Sequence, residues 1–99
     1  MFKHGKKYNP EWVIKASEYR FEEYPWLKEA LSCCTEIKSA NDLYIYFVNA
    51  KNPNKEKSEW QFQENITIEG TPEGDIVLDI IKPNRVGGIE FLTKVINGS

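Results

Sequence analysis

Few residues in this 99-residue chain could do chemistry, and their spacing decides what that chemistry could be. His4 is the only histidine, and it sits in Met1-Phe2-Lys3-His4-Gly5-Lys6-Lys7. No apolar period there would hold it against a nucleophile or a metal. Cys33 and Cys34 are adjacent, a poor arrangement for a disulfide between them, and they lack the spaced pairs of a zinc site. At most one of the two thiols faces inward. No serine stands in a nucleophile motif, and no His, Cys or Asp cluster has ligand spacing. Glu22 with Glu23, and Asp75 with Asp79, are pairs of the type used in acid–base catalysis. Fifteen acids in the chain make such pairs common, and solvated faces are the simpler reading. The expectation is a protein that is not an enzyme, with no cofactor and no metal.

The elements that would position these residues are easier to read. Asp75 to Leu92 holds two apolar runs rich in β-branched residues, Ile76 to Ile81 and Val86 to Leu92, around Lys82-Pro83-Asn84-Arg85. Pro suits the second place of a tight turn and Asn tolerates the third, so a β-hairpin follows, its first arm an inner strand. Adjacent Gly87 and Gly88 inside the second arm mark a bulge or a close approach of backbone. Upstream, Leu43 to Val48 alternates as a first strand. Trp60 to Ile68 reads as a second strand, with Trp60, Phe62, Ile66 and Ile68 on one face and a wet face opposite. Residues 49–58 hold three lysines and Asn-Pro-Asn, the composition of a solvated loop.

The first forty residues read as a loose leader over residues 1–9 followed by two helices. Asn9-Pro10-Glu11 is a helix start, and the first helix should run to about Glu23 with Trp12, Ala16 and Tyr19 toward the core. Tyr24-Pro25-Trp26 breaks it. A second helix then runs to about Lys38 or Ser39 with Trp26, Ala30, Cys33 and Ile37 on its inner face and Leu27 and Cys34 at the margin. The expected fold is α+β: one domain over residues 1–99, helical over 10–39, with the helices packed on a four-stranded antiparallel meander over 42–96.

Net charge is −2 but unevenly spread. Residues 1–7 carry three lysines, residues 11–36 six acids against three bases, and residues 58–82 six acids against Lys82 alone. A basic stripe on a folded face, as a nucleic-acid binder needs, is absent from this pattern. No apolar run approaches the roughly 20 residues of a membrane span, and the N-terminus lacks the apolar stretch of a signal peptide. A cytoplasmic location and no membrane partner are the expectations.

Asp42-x-Tyr44-Ile45, then Val77-Leu78-Asp79, then Arg85-Val86-Gly87-Gly88-Ile89-Glu90-Phe91-Leu92 resembles a small uncharacterised bacterial domain family. Its signature runs Asp-x-Leu-Tyr-Ile, Val-x-x-Asp and Gly-Ile-Glu-Ile-Leu. The match covers about residues 42–92. Asn84 stands where that family has a turn glycine, residues 51–57 look like an insertion, and the helical part has no counterpart. The resemblance implies a compact antiparallel sheet and, from the toxin and antitoxin gene pairs such domains accompany, a protein-binding role. Helices before a small sheet with acidic faces are also similar in style to bacterial immunity proteins.

Acidic faces interleaved with aromatic residues suit a partner that has a basic cleft. The expectation is an immunity protein or antitoxin that neutralises a cognate toxin domain, a nuclease above all, by occluding its active site, with acids standing in for phosphates. The expected partner-binding residues are Glu11, Ile14, Glu18, Phe21 and Glu22, on the side of the first helix away from Trp12, Ala16 and Tyr19. The competing expectation is a small nucleic-acid-binding or regulatory domain that uses Lys51, Lys55, Lys57 and the tail.

Overall fold

The computed structural model describes residues 5–92. In chain order the elements are β1 (Lys6–Lys7), α1 (Glu11–Ala16), a 3-10 turn (Glu18–Arg20), α2 (Leu27–Ser32), β2 (Glu36–Ile37), β3 (Ser39–Ala40), β4 (Tyr44–Tyr46), β5 (Phe62–Thr71), β6 (Gly74–Ile81) and β7 (Arg85–Phe91). The class is α+β. The sheet has five antiparallel strands in the order β3-β4-β7-β6-β5, and β1 pairs with β2 in a separate ribbon.

The expected hairpin is the centre of this sheet. β6 and β7 pair from Ile76 opposite Phe91 to Ile81 opposite Arg85, and β6 is an inner strand. The turn between them carries a cis Lys82–Pro83 bond and Asn84 at φ 52°. Between Asp79 and Ile80 the register shifts, because Asp79 faces Gly88 while Ile80 faces Val86. Gly87 is the extra residue of a bulge. Both glycines also allow close approach. A Cβ on Gly87 would lie 2.7 Å from the Trp60 ring, and one on Gly88 would lie 2.5 Å from Tyr44 Cε1.

The expected four-stranded meander is corrected on two counts. β4 lies beside β7 and β5 lies at the far edge, so the loop over residues 47–61 carries the chain across the sheet instead of turning directly. A fifth strand, β3, forms from a stretch expected to close the second helix. The leader is corrected as well: Lys6 pairs with Ile37 and Lys7 with Glu36. His4 lies outside the described residues.

The helical segment is shorter and differently phased than expected. α1 ends at Ala16 rather than near Glu23, and α2 ends at Ser32. Val13 and Ser17 are fully buried, Trp12 and Ala16 are half-buried, and Tyr19 is 57% exposed. On α2 the buried side chains are Leu27 and Leu31, followed by Cys34, while Cys33 is exposed. One thiol faces inward, but it is Cys34.

One face of the sheet holds the main core. Ile45, Ile89, Leu78 and Ile66 lie in a single row across β4, β7, β6 and β5. Ile66, Leu78 and Ile89 cluster with Ile68, Ile76 and Ile80 against Val13, Leu27 and Leu31 from the helices. Tyr19 and Arg20 tie the 3-10 turn to the β5 edge: Glu69 N–H donates to Tyr19 Oη at 2.8 Å, and Arg20 Nη1 donates to the Thr67 carbonyl at 2.6 Å. Two otherwise unpaired groups of an edge strand are thereby satisfied. Among the described residues no helix is long and apolar enough to cross a membrane.

Candidate partner-binding face and groove

The site is built on the face of the sheet opposite the helices. Side chains alternate along a strand, so the neighbours of the core row point the other way. Two rows result: Tyr44, Glu90, Val77 and Thr67, then Tyr46, Gly88, Asp79 and Asn65. The described helices leave this face uncovered.

Its two ends differ. At one end the loop over residues 49–61 folds down and buries Trp60 against Gly87 and Ile81, a small second core apart from the main cluster. The sequence pattern groups Trp60 with Ile66 and Ile68. A register shift between Phe62 and Glu64 reverses that alternation, and Phe62 is left 40% exposed. The loop is held by Asn54 N–H to the Trp60 carbonyl at 2.7 Å, Phe62 N–H to Asn54 Oδ1 at 2.8 Å and Gln61 Nε2 to the Lys55 carbonyl at 2.7 Å.

From Trp60 a column of rings runs along the glycines. Tyr46 meets Trp60 edge-on at 5.9 Å and stacks on Tyr44 at 4.1 Å. Tyr44 in turn lies over Gly88, with its hydroxyl 3.1 Å from where a Cβ would be. Gly88 on β7 faces Asp79 on β6, so no side chain stands at the position between the Tyr44 ring and Asp79. Burial, and then the charge of Glu90, push the Asp79 carboxyl up to about 6.

The other end opens into a groove of about 1290 Å³. Its described lining includes Asp42, Glu73 and Glu90, five aromatic side chains among them Tyr44 and Tyr46, and no Lys, Arg or His. Ile45 belongs to the helix side of the sheet and Tyr44 to the open side, so the groove passes around the sheet end. Trp12, another lining residue, stacks on Phe91 at 6.4 Å and donates its indole N–H to Tyr8 Oη at 2.8 Å. Burial raises the Tyr8 hydroxyl above its usual range, with the Trp12 bond acting the other way.

The residues expected to bind the partner are divided by the structure. Glu11, Glu18 and Glu22 are exposed, whereas Ile14 and Phe21 are half-buried and packed on the core. The exposed aromatic ring on that segment is Tyr19. The sheet face is hard to find from sequence because its acids, Asp79 and Glu90, are 11 residues apart and meet only through strand register. Two signals point to it: the Tyr44-x-Tyr46 alternation, and Asp79 and Glu90 each set between apolar neighbours inside a strand. Among the described residues no group of three or more His, Cys, Asp or Glu is arranged to hold a metal.

No family model, no curated protein and no solved structure matches the chain.

Proposed function

We propose that this chain is a protein-binding inhibitor, an immunity protein or antitoxin that neutralises a cognate toxin domain by covering the basic active site of a nuclease. The observation that carries this reading is the groove whose described lining holds three carboxylates and no base. Acids speed the encounter with a basic surface, and rings packed in a pocket slow release. Inhibition of this kind needs no chemistry of its own, only coverage. Glu11, Glu18 and Glu22, each exposed on the helical segment, offer a second set of acids to such a partner.

The test is neutralisation. Co-expression with a cognate nuclease toxin domain should rescue growth, and the purified pair should associate at a rate that falls with added salt. Asp42→Lys with Glu90→Lys should abolish rescue in a protein that still melts normally. A toxin neutralised equally well by that variant and by Glu18→Lys with Glu22→Lys would remove both surfaces.

A second reading, nucleic-acid binding, is supported by one feature. Lys51, Lys55 and Lys57 are exposed on a loop tied down by the Asn54 and Gln61 bonds, with Asn52, Asn54 and Lys57 at positive φ. Such a loop presents its charges without an ordering cost. Retention of single-stranded RNA with a steep salt dependence, lost when the three lysines become Gln, would favour it.

A further inference from the structure

We propose that the part of the groove formed by Tyr44, Tyr46 and Glu90, together with the adjoining Asp79, seats an arginine side chain from an extended basic segment of a protein partner. This rests on the reading of the groove as a partner surface and adds what that surface reads.

Charge complementarity comes first. The described lining is acidic, and neither Asp79 nor Glu90 belongs to a described ion pair, these being Arg20 with Glu23, Lys38 with Glu36, and Arg85 with Glu59. The two rows around Asp79 and Glu90 carry Asn65, Thr67, Val77, Gly88, Tyr44 and Tyr46, none of them basic. Asp79 therefore faces a second acid, neutral polar groups and rings. A cation that enters here would offset the burial and, after it, the repulsion from Glu90 that together raise the Asp79 carboxyl.

Geometry then selects the kind of cation. Asp79 faces Gly88 and Glu90 faces Val77, so the carboxylates stand on adjacent strands at diagonal positions of one face. Diagonal neighbours lie roughly 7–8 Å apart at the backbone, within reach of a common ligand. A guanidinium presents donors on two edges and can bond both carboxylates at once, whereas an ammonium is a compact point charge. Tyr44 adds a planar partner. It is fixed by its stack on Tyr46 and by its position over Gly88, and a guanidinium lies flat on such a ring. The groove that continues from this point past Asp42 and Glu73 has room for the neighbouring residues of an extended segment.

The test uses the whole chain and two short blocked peptides, one with alternating Gly and Arg and the same peptide with Lys, followed by amide and carboxyl NMR. The arginine peptide should shift Gly88, Glu90 and Asp79 saturably and move the Asp79 titration to lower pH. Affinity should fall at least tenfold in Asp79→Asn and in Glu90→Gln, both with unchanged amide spectra elsewhere, and the lysine peptide should bind several-fold more weakly. Absence of saturable shifts, equal affinity for both peptides, or indifference to both substitutions overturns the proposal. So does equally tight binding of spermine, which would make the face a simple sink for charge. A dimer that Glu90→Gln dissolves would give the groove to the Lys51–Lys57 loop of a second copy and also overturn it. If the peptide fails to bind while the toxin is still neutralised, the arginine seat falls and the inhibitor reading stands. If the peptide binds and no toxin is neutralised, the reverse holds.

Discussion

The Tyr44 ring occupies the space that a side chain at position 88 would fill: its Cε1 is 2.5 Å from the place of a Gly88 Cβ, and the Ile45 carbonyl oxygen is 2.7 Å from it. Gly88→Ala must therefore move a ring, a strand, or both. Overpacking of this sort costs about 1–3 kcal/mol. The expected outcome is a drop in melting temperature together with loss of the Tyr44–Tyr46 stack, read from the tyrosine ring resonances. An alanine variant with an unchanged ring pattern would mean that Tyr44 does not rest on Gly88. Gly87→Ala serves as the companion, since it presses on Trp60 at 2.7 Å and Ile81 at 2.9 Å and should disturb the loop side of the face instead.

Asp79 predicts a pH dependence whose sign can be worked out. Its folded carboxyl is raised from 3.8 to about 6, so between those values the folded state holds more protons than the unfolded chain. Stability from this group thus rises as pH falls from about 6 toward 4, and the cost of the ionised form is carried in full above about 6. A tenfold change in proton affinity is worth about 1.4 kcal/mol, and solvent around this half-buried carboxylate screens away part of it. Asp79→Asn, which removes the charge and keeps the shape, should stabilise the protein by about 1–2 kcal/mol at pH 7 and by little at pH 4. Denaturant titrations at the two pH values measure it. Equal effects at both would mean that Asp79 is not the titrating group.

What the sequence reveals and what it hides divide along physical lines. The β6–β7 hairpin, its turn and its glycines are legible because β-branched alternation and turn chemistry are local signals. The helical faces are not. α1 is only six residues long, too short to establish a period, and the next buried residue after Val13 is Ser17 at its C-cap, whose Oγ has no hydrogen-bond partner among the described residues. A polar residue at a core position erases the stripe. On α2 the i, i+4, i+7 series Leu27, Leu31 and Cys34 is present, but counting Ile37 with the helix, when it belongs to β2, turns the reading by one residue. The β1–β2 ribbon pairs Lys7 with Glu36 across 29 residues and has no apolar pattern to announce it. The groove depends on the same long-range pairing: β4 meets β7 only because the 47–61 loop carries β5 to the opposite edge.

The two thiols should separate cleanly. Cys34 is buried, with its Sγ 3.6 Å from the Ala30 carbonyl, and burial, then the neighbouring Cys33, pushes its thiol up to about 12. Cys33 is exposed. Reaction depends on the thiolate and on access, so a thiol reagent at pH 8 should modify Cys33 in the native protein and Cys34 only after denaturation. Mass spectrometry of a timed reaction counts the labels. Rapid double labelling under native conditions would place Cys34 outside the core.

The N-terminal segment serves either to pack on the core or to meet a partner, and substitutions at Phe21, Glu18, Glu22 and Tyr19 separate the two. Ile14 and Phe21 pack against the core, so Phe21→Ala should lower stability by about 1–3 kcal/mol, on the scale of partial loss of a half-buried aromatic side chain. A 99-residue domain shifts its melting temperature by roughly 4–8 °C per kcal/mol, so the change is easily measured. Glu18 and Glu22 are exposed, and their reversal to Lys should leave melting within a degree or two. If this segment meets a basic partner, the same reversal slows association, and the defect shrinks as salt screens the charges. The anchor on that surface would then be Tyr19, which is exposed and held by the Glu69 N–H. Tyr19→Phe removes that bond and leaves the ring, whereas Tyr19→Ala removes both. Faster dissociation in the alanine variant alone assigns the ring to the partner. Equal binding by all of these variants, with Phe21→Ala the only one to melt early, assigns the segment to packing and leaves recognition to the opposite face of the sheet.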